Sequence, residues 1–186
     1  MRISSVLIAT LVTFGSSMLI AQNRSSTMRQ TKQNSLATPG SVRLITLAPG
    51  HFHASLVQKV MYPQVAPTVW VYAPPGPDLD EHSKRVEAYN TRTNDPTRWE
   101  QQLYSGPDFF QKMLADKPGN VVVIAGNNRE KIAYLAGSLQ AGLNVLADKP
   151  MCIDAAGFEK LKASLADKRG RCKQPGCPCV AYKPQG

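Results

Sequence analysis

Short apolar runs alternate with longer stretches of helical spacing along most of this chain. "VRLITLAP" (Val42–Pro49) is β-rich and bounded by Pro and Gly, the pattern of a buried strand. "GHFHASLVQKVMY" follows at once, with Phe52, Leu56, Val57, Val60 and Met61 at helical spacing, and predicts a helix that Pro63 stops. "TVWVYAP" (Thr68–Pro74) is a second strand, and "LDEHSKRVEAYN" an exposed helix with acids in its first turn. A turn at Gly106-Pro107 leads into the amphipathic helix "PDFFQKMLADK". "NVVVIAG" (Asn120–Gly126) is the clearest strand: it is apolar without alternation, as when both faces are covered. In "REKIAYLAGSLQAG" the residues Ile132, Leu135, Ala136 and Leu139 share a helical face, and Gly142 closes the helix. "NVLAD" is the next strand, and "DAAGFEKLKASLADK" a final helix capped by Asp154.

Strand alternating with helix predicts the α/β class, with a parallel sheet and right-handed crossovers. Strands apolar on both sides and joined by short loops make that sheet doubly wound. No internal repeat interrupts the pattern.

The net charge of +9 changes little once it is located. Five bases precede Leu44 (Arg2, Arg24, Arg29, Lys32, Arg43) and five follow Asp167 (Lys168, Arg169, Arg171, Lys173, Lys183). Removing those ten from 22 leaves 12 bases against 13 acids in residues 44–167. A near-neutral folded part argues against a nucleic-acid partner, which would need a basic face.

The ends differ from the middle. "MRISSVLIATLVTFGSSMLIAQ" sets one Arg before an apolar stretch, the pattern of a secretory signal over residues 1–21, and predicts an exported protein. An uncleaved membrane anchor is the alternative. Residues 22–40 are polar, without apolar periodicity, and form an expected linker to a domain at 41–167. The tail, 168–186, turns basic and Cys/Pro/Gly-rich, as a frameshifted or truncated reading frame would. Its Cys172, Cys177 and Cys179 lack the second ligand pair of a zinc site, Cys152 stands apart, and no metal is expected.

Three constellations bear on chemistry. The turn after the first strand of such a sheet offers amides and a helix start to a diphosphate, through G-x-G-x-x-G. Here Ala48, Gly50 and His53 take the three glycine positions, so only the middle one is kept. His51 and His53 are either phosphate or substrate ligands, or polar residues of an exposed first helical turn. Gly126, Asn127 and Asn128 end the third predicted strand, where amides hold a ribose or nicotinamide edge; capping of the next helix by Asn128 is the competing role. Asp148-Lys149-Pro150 ends the fourth. Lys149 there either meets a substrate oxygen and relays a proton, or is a solvated loop lysine.

Together the G-H-x-H start, "NVVVIAGNN…KIAYLAGSLQAGLNVLADKP" and the closing helix resemble the Gfo/Idh/MocA oxidoreductases, over roughly residues 42–165. Asp148-Lys149-Pro150 is a variant of that family's E-K-P. The resemblance implies a Rossmann-like domain binding NAD or NADP through Ala48, Gly50, His51, Phe52, His53, Gly126, Asn127, Asn128, Asp148, Lys149 and Pro150. It implies Lys149 as a catalytic residue, and hydride transfer on a sugar or polyol. It also implies a second α/β domain, for which too few residues follow Pro150, so that this chain alone is expected to be inactive. A homo-oligomer is left open. The second strand has no acid at its tip; Asp78 lies several residues on. A non-catalytic Rossmann-like nucleotide-binding or scaffold module is the alternative, and a fragment that does not fold stably a third.

Overall fold

The computed structural model describes residues 38–171, with side chains to residue 167. The expected leader, nearly all of the linker and the tail beyond Arg171 lie outside the described residues, while residues 168–171, expected to be irregular, continue the last helix. Among the described residues five strands and five helices alternate. They are β1 (Leu44–Leu47), α1 (His53–Leu56), β2 (Thr68–Ala73), α2 (Pro77–Thr91), β3 (Glu100–Ser105), α3 (Phe109–Asp116), β4 (Val121–Ile124), α4 (Asn128–Gln140), β5 (Asn144–Ala147) and α5 (Ala155–Arg171).

The strands form one sheet in the order β3-β2-β1-β4-β5, and every neighbouring pair is parallel. The chain winds outward from β1 to β3, then crosses back to β4. The reversal leaves a crevice beyond the carboxyl ends of β1 and β4, where such sheets bind ligands. The α/β, doubly wound, Rossmann-like fold expected from the sequence is the one observed.

Alternate residues of each central strand supply two cores. Ile45, Leu47, Tyr72, Val122 and Ile124 pack with Phe109 and Met113 of α3 and with Tyr134 and Leu135 of α4. Leu44, Val69 and Val123 pack on the other face with Val86 of α2 and Trp99. The Trp99 indole N–H donates to Gln58 O at 2.6 Å, and Asn90 Oδ1 accepts from Trp99 N and from the Thr97 hydroxyl. These bonds pin the segment between α2 and β3 to the layer beneath it. Asp154 accepts from Gly157 N at 2.6 Å, the cap expected for α5.

One strand was not anticipated, and one helix is corrected. "EQQLYS" is a strand, β3, paired with β2 along its whole length. As an edge strand with little cover it needs only backbone partners on one side, and polar side chains protect that edge; the apolar pattern that betrays a central strand is missing. Beyond β1, only four residues are α-helical, and the segment continues as turns in which Gln58 N donates to Ser55 O and Lys59 N to Leu56 O. Its buried residues are Ala54, Ser55 and Gln58, whereas Phe52, Leu56 and Val60 are exposed. The segment lies so close to the sheet that small or slender side chains face inward, and of the expected apolar stripe only Val57 and Met61 pack, partly buried, against the core. Among the described residues no helix is long and apolar enough to cross a membrane.

Candidate dinucleotide crevice

The loop after β1 turns on Ala48, whose φ of +45° lies in the left-handed region that favours glycine. Gly50 N donates back to Ala48 O at 2.8 Å, and His51 N donates across to Ala125 O at 3.0 Å. Both amides are thereby committed to the protein. Those of Phe52 and His53 carry no hydrogen bond among the described residues, so the amides open to a phosphate lie further along than Gly50.

Gly126 makes this loop possible. A Cβ there would press on Ala48 O and lie 2.9 Å from Gly50 N, both backbone atoms. A Cβ on Gly50 would lie 3.3 Å from Gly126 Cα and 3.7 Å from Asn127 N. The two glycines therefore close the β1 and β4 ends onto each other. The same Gly50 Cβ would lie 3.0 Å from Asp78 Oδ2. Asp78, too distant in sequence from the tip of β2 to look like a site residue, is carried to the phosphate loop by the start of α2.

Asn127 caps α4, its side chain accepting from Arg129 N at 3.0 Å. The capping role weighed for Asn128 belongs to its neighbour; Asn128 is the exposed first residue of α4.

At the β5 tip, Asp148 gathers the remaining groups. Its Oδ2 lies 3.2 Å from His53 Nδ1 and 3.9 Å from His51 Nδ1. Its Oδ1 accepts from Lys131 Nζ, a lysine of α4 only 1% exposed. Burial would raise the Asp148 carboxyl, but the hydrogen bonds from Lys131 and His53 outweigh it and hold it below the usual carboxylate range. Lys131 was missed in the sequence, although it stands four residues before Leu135 on the inward face of α4; a lysine so placed signals a buried partner. Phe52 is exposed beside the two imidazoles, 4.6 Å from the ring of His51 and 4.4 Å from that of His53. Lys149 and Pro150 follow Asp148 at the exposed rim, joined by a cis peptide bond.

Gly50, Gly126 and Asn127 thus meet directly, and His51, His53 and Asp148 join them to the strand end that bears Lys149. Two unpaired amides, a glycine-lined backbone and a nearby carboxylate fit a dinucleotide's diphosphate and ribose.

Residues 78–176 match the model of an oxidoreductase family with an NAD-binding Rossmann fold, Gfo/Idh/MocA. A candidate oxidoreductase from Parabacteroides merdae is 53% identical, with a TM-score of 0.71, over 73% of this chain and 31% of its own. An oxidoreductase candidate from Thermotoga maritima is 14% identical (TM-score 0.51), over 69% of this chain and 36% of its own. GenD2 from gentamicin A biosynthesis, solved in complex with NAD, is 19% identical (TM-score 0.50), over 69% and 33%. These last two likenesses show the fold alone. No curated protein matches the sequence. The chain spans about a third of the length of the solved structures it resembles.

Proposed function

Because the chain belongs to the Gfo/Idh/MocA family of NAD-binding Rossmann-fold oxidoreductases, we propose that it supplies the dinucleotide half of an exported sugar or polyol oxidoreductase. The observation that carries this reading is the closure of Gly50 onto Gly126 and Asn127 at the point where the sheet's winding reverses. When bound, the dinucleotide accepts or gives the hydride. The chain's own part is to hold it. The Phe52 and His53 amides meet the diphosphate, Asn127 stands at the β4 end, and Lys149 meets the substrate oxygen and relays its proton.

Asp78 sets the choice between dinucleotides. A carboxylate beside the phosphate loop accepts from ribose hydroxyls and repels a 2′-phosphate. NAD therefore binds more tightly than NADP, by about ten-fold or more, and Asp78→Ser narrows the gap. Calorimetric titration with both dinucleotides, oxidised and reduced, tests this; equal affinity in the parent chain contradicts it. Turnover belongs to the longer form that the lengths of the relatives suggest. The 186-residue chain is expected to bind dinucleotide weakly and turn nothing over, and robust dehydrogenase activity from it would overturn that part. Export rests on the leader pattern at residues 1–21, and fractionation of the expressing cell tests it.

A second reading, a non-catalytic module using the same rim for another ligand, draws on one specific observation. The Gly50 and His51 amides are already bonded, and Asp78 stands beside them. Absence of any dinucleotide heat in the same titration favours it.

A further inference from the structure

We propose that His51, His53 and Asp148 form a site for a divalent transition-metal ion with zinc-like ligand preference, at the rim beside Lys149. The cysteine spacing had given no reason to expect a metal, and the cluster becomes visible only when β5 is set beside the loop after β1. One ligand atom from each residue lies within 4.8 Å of the other two.

The spacing suits an ion. Ligands held at about 2.1 Å by a tetrahedral cation stand roughly 3.4 Å from one another. Asp148 Oδ2 is 3.2 Å from His53 Nδ1, already close to that spacing, and 3.9 Å from His51 Nδ1, so the His51 imidazole must move nearer to both partners. Its side chain is 46% exposed and that of His53 39%, which leaves room for that shift and a path of entry. The two residues precede or begin α1, where a bend lets positions two apart aim the same way; their ring centroids are 4.3 Å apart.

Asp148 is already prepared as a one-oxygen ligand. Lys131 takes Oδ1 and fixes the carboxylate plane, leaving Oδ2 toward the imidazoles. Such outer partners orient metal ligands and set affinity. The ammonium also offsets the carboxylate charge, so binding is weaker than at the same three ligands without it. Two nitrogens and one oxygen suit zinc and its neighbours over magnesium or calcium, which want oxygen alone. The exposed sides of the two imidazoles would leave a further position on the ion to water or to a substrate oxygen.

Cobalt(II) titration of the full chain, without dinucleotide, tests the site by absorption. One equivalent is expected to give visible d–d bands without sulfur-to-cobalt charge transfer, and zinc displaces it. His51→Ala and His53→Ala, each checked for parental melting, are each expected to weaken cobalt binding by about ten-fold or more. Charge-transfer bands from thiolate, unchanged affinity in both variants, or no saturable binding would overturn the proposal. The nucleotide reading stands whichever result is found, because no dinucleotide takes part.

Discussion

Ala48 carries a turn made for glycine, and the sequence revealed the position but not its cost. Its φ of +45° is a left-handed conformation that strains any residue with a Cβ by about 1 kcal/mol. Glycine relieves that strain but loses more freedom on folding. Ala48→Gly is therefore expected to raise stability by about 0.5 kcal/mol in urea unfolding. Gly126 behaves oppositely. Gly126→Ala forces a methyl onto the Ala48 carbonyl and the Gly50 amide, and neither backbone atom yields cheaply. It should cost about 2 kcal/mol or more and abolish dinucleotide binding.

Lys131 was legible only in part: its helical position faces inward, but nothing in the spacing names Asp148 as its partner. Lys131→Met leaves a carboxylate 17% exposed without its ammonium, and is expected to destabilise the chain by about 2–3 kcal/mol. Combining it with Asp148→Asn should recover part of that loss, so that the four unfolding energies give a coupling of about 1 kcal/mol or more. Additive losses would contradict a direct pair.

Among the elements, those buried on both faces were the easiest to read. β4 is apolar throughout, and β1 apart from the buried Thr46, because helices cover both sides of the sheet, and α4 shows its inward face as a periodic stripe. β3 was illegible because an edge strand is held by its backbone, which composition does not record. The segment after β1 was misread because close approach to the sheet selects small residues for the inside, which helical spacing of large apolar residues does not anticipate.

α2 carries a further consequence in His82, which is 3% exposed. Burial alone pushes its imidazole down to about 4 from the ordinary 6.5. Between those values the unfolded chain takes up a proton that the folded chain refuses. Stability is therefore whole above pH 6.5, falls as the pH drops toward 4, and loses nothing more from this group below that. The full loss is about 3 kcal/mol. His82→Leu should flatten that slope in unfolding curves taken across the window; an unchanged slope would assign it elsewhere.

At the scale of the whole molecule, the sheet order explains why residues far apart in sequence share one rim. All five strands run the same way, so each carboxyl end delivers its following loop to that side. The loop after β1, the Gly126-Asn127 turn after β4 and Asp148-Lys149 after β5 meet for that reason. Asp78 joins them from the start of α2, beyond the reach of a motif confined to the strand tip. With two packed faces, the chain is expected to melt in a single cooperative transition; a gradual loss of helix signal would favour a fragment that does not fold alone.

The central claim is that these loops form one dinucleotide crevice, and amide chemical-shift mapping during NAD titration tests it most directly, even for weak binding. The account predicts that Phe52, His53, Gly126, Asn127 and Lys149 shift together along one saturable curve. Shifts confined to one of these loops, or gathered at the amino ends of the strands, would contradict it.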